Sequence, residues 1–571
     1  MGCNLLQKIT IFVFFAMNLS VPSLAYEHDH EDQIQDQDRE EPTNLFTSCL
    51  TQFGVHNFST LSNTNNDSSS VYYQLLNFSI QNLRFSGSLL PKPAVIVFPE
   101  TKEQLVKTVI CARQSSLEIR VRSGGHSYEG TSSVAMDGLP FVVIDLTRLD
   151  HVLVDVSSGT AWVEAGATLG QTYCAVAEST NVHGFSAGSC PTVGMGGHIS
   201  GGGFGLLSRK YGLAADNVVD AVLVTAEGEL LNRATMGEDV FWAIRGGGGG
   251  VWGIVYAWNI QLSSVPEIVT CFIVSRPGTK DEVTDIVNRW QHIAPKLPDD
   301  FYLSSFVGAG LPDRKNKPGI SATFKGFYLG RINNVLSIIN QTFPELQVLE
   351  KDCKEMSWIE SILFFSGFGN QSSVPDLKNR LLQDKLYYKA KSDYVRKPIP
   401  RFGLATALDI LEKQPKGYVI LDPYGGIMEK IDSDSIPFPH RKGNMFTIQY
   451  LVEWKETDND KTNDYIAWIR GFHGAMTPYV SREPRSAYVN YMDVDLGVMN
   501  SIKTCVESND DDVVEMAREW GEKYFGNNYD RLVKAKTQID PYNVFRHQQS
   551  IPPMSPMSSE KKNQKGSRLT E

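Results

Sequence analysis

Three things are scarce in this chain. Beyond its first 25 residues, no segment is long and apolar enough to span a bilayer. Positive charge is in deficit: 54 lysines and arginines stand against 65 aspartates and glutamates, a formal net charge of −11. That balance excludes a broad electrostatic grip on nucleic acid or on an anionic membrane. Compact cysteine and histidine spacings of the zinc-site kind are missing, and no fixed period marks an internal repeat. The 571 residues are 42% hydrophobic and 21% charged, which excludes a disordered or fibrous chain and allows more than one domain. A small molecule is the partner class that remains.

Residues 1–25, MGCNLLQKITIFVFFAMNLSVPSLA, place one lysine before an apolar run and Ser23 and Ala25 at small-residue cleavage positions, predicting a secretory signal peptide. The run is too short and too interrupted by Asn18 and Pro22 for an anchor, and Leu6 stands where myristoylation needs Ser or Thr. Residues 26–43 are acid-rich without hydrophobic period and read as a solvated linker. Entry into an oxidising compartment permits disulfides. Cys3 leaves with the signal, and the odd number of cysteines that remain leaves at least one unpaired or otherwise used. Sequons predict glycosylation at Asn57, Asn66, Asn77, Asn340 and Asn370.

Residues 44–265 alternate strand runs (FVVIDLT, AWVEAGA, VVDAVLVTAEGEL, VWGIVYAWNIQL) with helical patterns, an α+β region. Residues 266–485 mix longer helices such as DEVTDIVNRWQHI with the strands ISATFKGFYLG and NMFTIQYLVEW. The segment to 552 reads as helix and then extended chain, and the polar tail 553–571 as disordered.

Three glycine-rich stretches interrupt the strand region: RSGGHSYEG (122–130), GSCPTVGMGGHISGGGFG (188–205) and RGGGGGVWG (245–253). Glycine lets backbone approach a ligand and present bare N–H groups, a recurring way to hold pyrophosphate. Gly248, Gly250 and Gly253 spell a literal GxGxxG, but a strand follows where a Rossmann site needs a helix, so a nicotinamide site is rejected. Taken singly, Cys190 reads as a buried thiol or half a disulfide, and His126 as a satisfied loop histidine. No compact spacing supports zinc between His126, His198 and Cys190.

Those loops, with MGEDVFWAIRGGGGGVWG, PFPHRKGN, YVNYMDVDLG and NYDRLVKAKTQIDPYNVF, resemble the berberine bridge enzyme family of plant FAD-linked oxidoreductases, above all its alkaloid-pathway members. The resemblance runs from about residue 44 to 552. It implies an α+β fold: a two-part FAD-binding domain of the vanillyl-alcohol-oxidase type (44–265, rejoined by 486–552) and an α/β substrate domain with an antiparallel sheet (266–485). It implies FAD attached twice, at a ring methyl through His126 and at a nearby ring carbon through Cys190. Ser123, Gly124, Gly125, Gly194, Gly197 and Val193 would line the cofactor, and Cys49 would pair with Cys111, the alternative being two free thiols.

The period of two in NMFTIQYLVEW puts Thr447, Gln449 and Leu451 on one face, with Thr447 and Gln449 directed at the substrate cleft. In the bridge-forming members a glutamate base stands at Gln449 and a histidine at Tyr491, and this chain has neither. Gln449 with Tyr491 resembles members that oxidise alcohols, sugars or phenolics, where the tyrosine acts as base; the lysine and second tyrosine that assist it are replaced by Thr447 and Phe204. Tyr128 and His198 are candidates for positioning or for stabilising charge on the reduced flavin. Val193 occupies the position linked with oxygen access, and valine's small size favours an oxidase producing H2O2.

The expectation is a monomeric secretory oxidase, vacuolar or in the cell wall, acting with O2 on an alkaloid-type amine. The alternatives are oxidation of a carbohydrate or phenolic alcohol, and a flavin-carrying binding or cyclisation protein without net oxidation.

Overall fold

Apolar runs in the first half of the chain become buried parallel strands. Val95–Val97, Phe141–Asp145 and Glu118–Arg122 pair in parallel, with Phe58–Thr60 antiparallel on the edge. All residues of the first two are buried, as strands covered on both faces require. The computed structural model describes residues 41–61, 71–311, 319–368, 371–381, 384–499 and 510–554. The predicted signal peptide, all of the predicted tail but Pro553 and Met554, Asn66, Asn370 and Cys505 lie outside them, while the Met554 N–H donates to the Thr537 hydroxyl at 2.8 Å. The linker was expected to reach residue 43, yet a helix runs over Pro42–Gln52. Proline serves well at a first helical position, where the N–H it lacks would have no partner.

A second, antiparallel sheet orders Val152–Asp155, Thr160–Glu164, Ile254–Gln261, Val218–Val224 and Leu230–Leu231. The third has seven antiparallel strands, in the order Cys353–Met356, Val269–Gly278, Ile320–Tyr328, Phe301–Gly308, Gly417–Pro423, Phe446–Trp454 and Tyr387–Val395. Helices Lys280–Ile293, Arg401–Glu412 and Thr462–Met476 pack on this sheet. Ile448, Tyr450 and Val452 point into that core beside Trp290, so the intervening residues of the strand face the other way.

Two large hydrophobic cores result, with a smaller cluster around Tyr72, Leu76, Ile96 and Phe141. One gathers Val95, Val142, Ala165, Trp242 and Trp252 together with Trp520, Leu532 and Phe545 from the C-terminal segment. The other spans Phe272 to Val480. The described fold is thus α+β, with one mixed sheet and three antiparallel ones, the smallest pairing His183–Gly184 with Ser263–Ser264. Cys49 and Cys111 form a disulfide joining Pro42–Gln52 to Lys102–Gln114, while Cys174, Cys190, Cys271 and Cys353 are free thiols. Asn340 is exposed, whereas Asn57 donates its amide to Glu100 at 3.2 Å. Among the described residues, no helix is long and apolar enough to cross a membrane.

Candidate active site

The first glycine loop leaves the end of the parallel strand Glu118–Arg122, the kind of strand end where open sheets hold ligands. Arg122, fully buried, fixes that end by donating to Asp145 at 2.6 Å and to the Leu76 carbonyl at 2.9 Å. Gly125 turns the chain with φ +71°, and a Cβ there would fall 1.7 Å from the Ser79 oxygen. At Gly124 the loop meets the second loop as bare backbone: a Cβ would stand 2.3 Å from the amide nitrogen of Gly194, and the reverse contact is equally close. Ser123 steadies this crossing by donating to the Ala165 carbonyl at 2.6 Å.

That crossing brings His126 and Cys190 to one spot. The Thr192 hydroxyl lies 2.8 Å from Nε2 of His126 and 3.7 Å from Sγ of Cys190. Both open onto a cavity of about 520 Å³ whose walls include all three glycine loops and the face of the seven-stranded sheet. Enclosure in protein lowers the His126 pKa to about 4 and raises that of the Cys190 thiol. His126 is therefore a neutral imidazole at neutral pH, with a lone pair available.

His198 is also held neutral, its pKa lowered to about 4 by burial, and its Nε2 accepts the Gly188 N–H at 3.0 Å. Gln449 donates its amide to the Tyr128 hydroxyl at 2.6 Å, and the Tyr128 ring stacks on Tyr491 with centroids 5.4 Å apart. Burial and the neighbouring Tyr128 and Asp422 raise the Tyr491 phenol well above its ordinary range. Val193 and Phe204 line the same cavity. Thr447, expected beside Gln449, does not line it: its hydroxyl is turned to the Asp393 carbonyl at 3.0 Å.

Sequence reading missed the opposite wall, where Tyr302, Lys325 and Asp422 come from three strands of the seven-stranded sheet. It also missed two clamps. Glu129 of the first loop pairs with buried Lys389, which with Lys391 binds Asp493 of the YVNYMDVDLG stretch. Lys536, on the helix Tyr529–Ile539, donates to the Val251 carbonyl of the third loop at 2.6 Å and pairs with Asp540. The i, i+4 spacing of Lys536 and Asp540 was a readable signal for a pair, though not for its target.

The residues present fit FAD. A Cβ at Gly197 or Gly250 would meet nothing within 4 Å, so these glycines leave open wall beside the cavity where bare backbone can meet a ligand. A neutral histidine and a thiol stand together at the same cavity.

The comparisons agree. Residues 93–233 match the model of the FAD binding domain, and residues 487–552 match berberine and berberine like. The chain is 62% identical over 521 residues to berberine bridge enzyme-like D-2 of Nicotiana tabacum, covering 90% of this chain and 92% of that one. It is 48% identical to reticuline oxidase of Papaver somniferum, again over 90% and 92%. A variant of berberine bridge enzyme solved with (S)-reticuline superposes with a TM-score of 0.86 at 47% identity, over 90% of this chain and 100% of that one. The chain belongs to the berberine bridge enzyme-like family and is an FAD-linked oxidoreductase of the plant alkaloid-metabolism type.

Proposed function

We propose that this chain carries FAD bonded to both His126 and Cys190 and oxidises an alkaloid-type amine at a C–N bond, with O2 as final acceptor and H2O2 as product. The observation that carries it is the meeting of a neutral His126 and the Cys190 thiol around the Thr192 hydroxyl, on the wall of the shared cavity. FAD, when bound, supplies the hydride acceptor. The chain's residues do the rest. His126 and Cys190 anchor the ring, Ser123, Gly124, Gly125, Gly194 and Gly197 shape its bed, and Tyr128, held by Gln449, presents a hydroxyl to the substrate side. Val193 at the cavity wall supports oxygen access. The names of the reticuline oxidases support an amine substrate.

The Gln449–Tyr128 hydrogen bond, a polar pair in the cleft, favours a second reading: oxidation of a carbohydrate or phenolic alcohol. Peroxide release with amines against sugars separates the two. The predicted signal peptide and sequons, together with the Cys49–Cys111 disulfide, support passage through the secretory pathway to the vacuole or cell wall.

The first experiment is an absorbance spectrum of the protein from a secretory host, before and after acid precipitation. Flavin should stay with the pellet in wild type and in each single variant, His126→Ala and Cys190→Ala, and leave it in the double variant. Flavin released from the wild type would end the two-tether reading.

A further inference from the structure

The cavity wall opposite the glycine loops carries a single carboxylate among its described residues, Asp422 at the end of Gly417–Pro423. In register its strand neighbour is Thr447, two residues along from the Ile420–Gln449 pair, so Asp422 and Gln449 lie on the same sheet face in successive rows. Asp422 is 7% exposed, and its Oδ1 accepts the hydroxyl of Tyr302. No described residue donates to Oδ2. Lys325 faces the carboxylate without an ion pair, its Nζ 4.2 Å from the centre of the Phe306 ring.

We propose that Asp422 receives the basic nitrogen of the substrate: Oδ2 binds the ammonium and then takes its proton, an N–H bond breaking as an O–H bond forms. The amine's lone pair is thereby free when hydride leaves the neighbouring carbon. This inference rests on the amine reading above. Other lining groups suit the task less well. Gln449 is neutral, Lys325 is a cation, His198 has its Nε2 occupied, and the Tyr128 and Tyr491 phenols are held protonated by burial. Burial also raises the Asp422 carboxyl, to about 6, with the Tyr302 hydrogen bond and Lys325 opposing. A base with that affinity is charged at neutral pH and still accepts a proton readily.

The test uses the flavin-loaded full chain with N-methylbenzylamine, a cation at neutral pH, and benzyl methyl ether, its uncharged counterpart. Binding is read from the perturbation of flavin absorbance. Wild type should favour the amine by about tenfold or more at neutral pH, and Asp422→Asn should lose that preference. In wild type, amine affinity should fall about tenfold per pH unit below about 6, as Asp422 takes a proton, while ether affinity stays level. Facing Asp422 are Tyr302, Lys325, Tyr424 and Tyr491; burial holds the three phenols above this range. Lys325→Gln removes a charge that opposes the shift, so its pH midpoint should move upward while the fall in amine affinity with acid persists; a variant that loses the pH dependence would overturn the assignment. An amine preference that persists in Asp422→Asn overturns the inference and leaves the amine reading standing. A wild type that prefers the ether, or binds neither probe, overturns both. Should Asp422→Asn fail to fold, the wild-type pH series decides, and an affinity that is flat through pH 6 overturns the inference.

Discussion

Tyr491 illustrates how neighbours decide the chemistry of a residue. A phenol becomes a base when a cation favours its ionised form. Here Tyr128 stacks on one face with an interplanar angle of 3°, Tyr488 meets its ring at 4.9 Å, and Asp422 adds negative charge, so ionisation is disfavoured from every side. Tyr491→Phe should therefore slow flavin reduction by less than about tenfold in stopped-flow mixing with an amine, whereas deleting a general base costs about 10²–10⁴. A loss beyond a hundredfold would assign the proton to Tyr491 and remove it from Asp422. Neither role was written plainly in the sequence. Asp422 stands in VILDPYGG, which reads as a strand running into a turn, and Tyr302, which fixes it, lies 120 residues away. His126 and Cys190 read singly as a loop histidine and a buried thiol, and only the resemblance carried by their glycine-rich stretches singled them out.

At the scale of the elements, the two loops that carry His126 and Cys190 cross where side chains have no room. In Gly124→Ala the added Cβ would stand 2.3 Å from one backbone atom and 2.8 Å from another, the Thr192 oxygen, so the loops must part. Stability should fall by about 1–3 kcal/mol in urea unfolding, and bound flavin should be lost. Gly197→Ala is the contrasting case: it lies in the short helix Met195–Ser200, and its Cβ meets nothing within 4 Å. The fold should hold, or gain about 0.5 kcal/mol from the helical alanine, while the flavin-to-protein absorbance ratio drops because the methyl enters the bed. Full flavin in Gly197→Ala would mean that this glycine does not touch the cofactor. Strand identity followed directly from period and β-branching: FVVID, VVDAVLV and FTIQYLVEW all became strands as read. Which face each presents to the cavity depends on cross-strand register, set by residues far apart in sequence. That is why Thr447 was expected in the cleft and Lys325 was not.

For the whole molecule, enclosure of histidines sets the response to acid. Burial lowers His198 and His473 to about 4, and His440 and His547 to about 3; His126 is set aside as a proposed tether. The unfolded chain protonates these rings near its ordinary pKa of about 6.5 while the folded chain does not, so stability rises with pH through the window from about 4 to 6.5 and is lost as pH falls. Asp422 works in the other direction, because its folded carboxyl takes a proton below about 6, before the unfolded one does. Summed over these four histidines and Asp422 alone, the uptake on unfolding near pH 5 is roughly three protons, about 4 kcal/mol per pH unit, a large part of a typical total of about 5–15 kcal/mol. The unfolding temperature should accordingly drop steeply below about pH 6. His440→Gln should flatten that slope by about one proton, roughly 1.4 kcal/mol per pH unit. His440 is the clearest probe because its ring packs 3.9 Å from Tyr394, and its Nε2 has no hydrogen-bond partner among the described residues. An unfolding temperature that stays level from neutral pH down to about pH 4.5 would mean that the folded rings accept protons in place, and that burial does not hold them neutral.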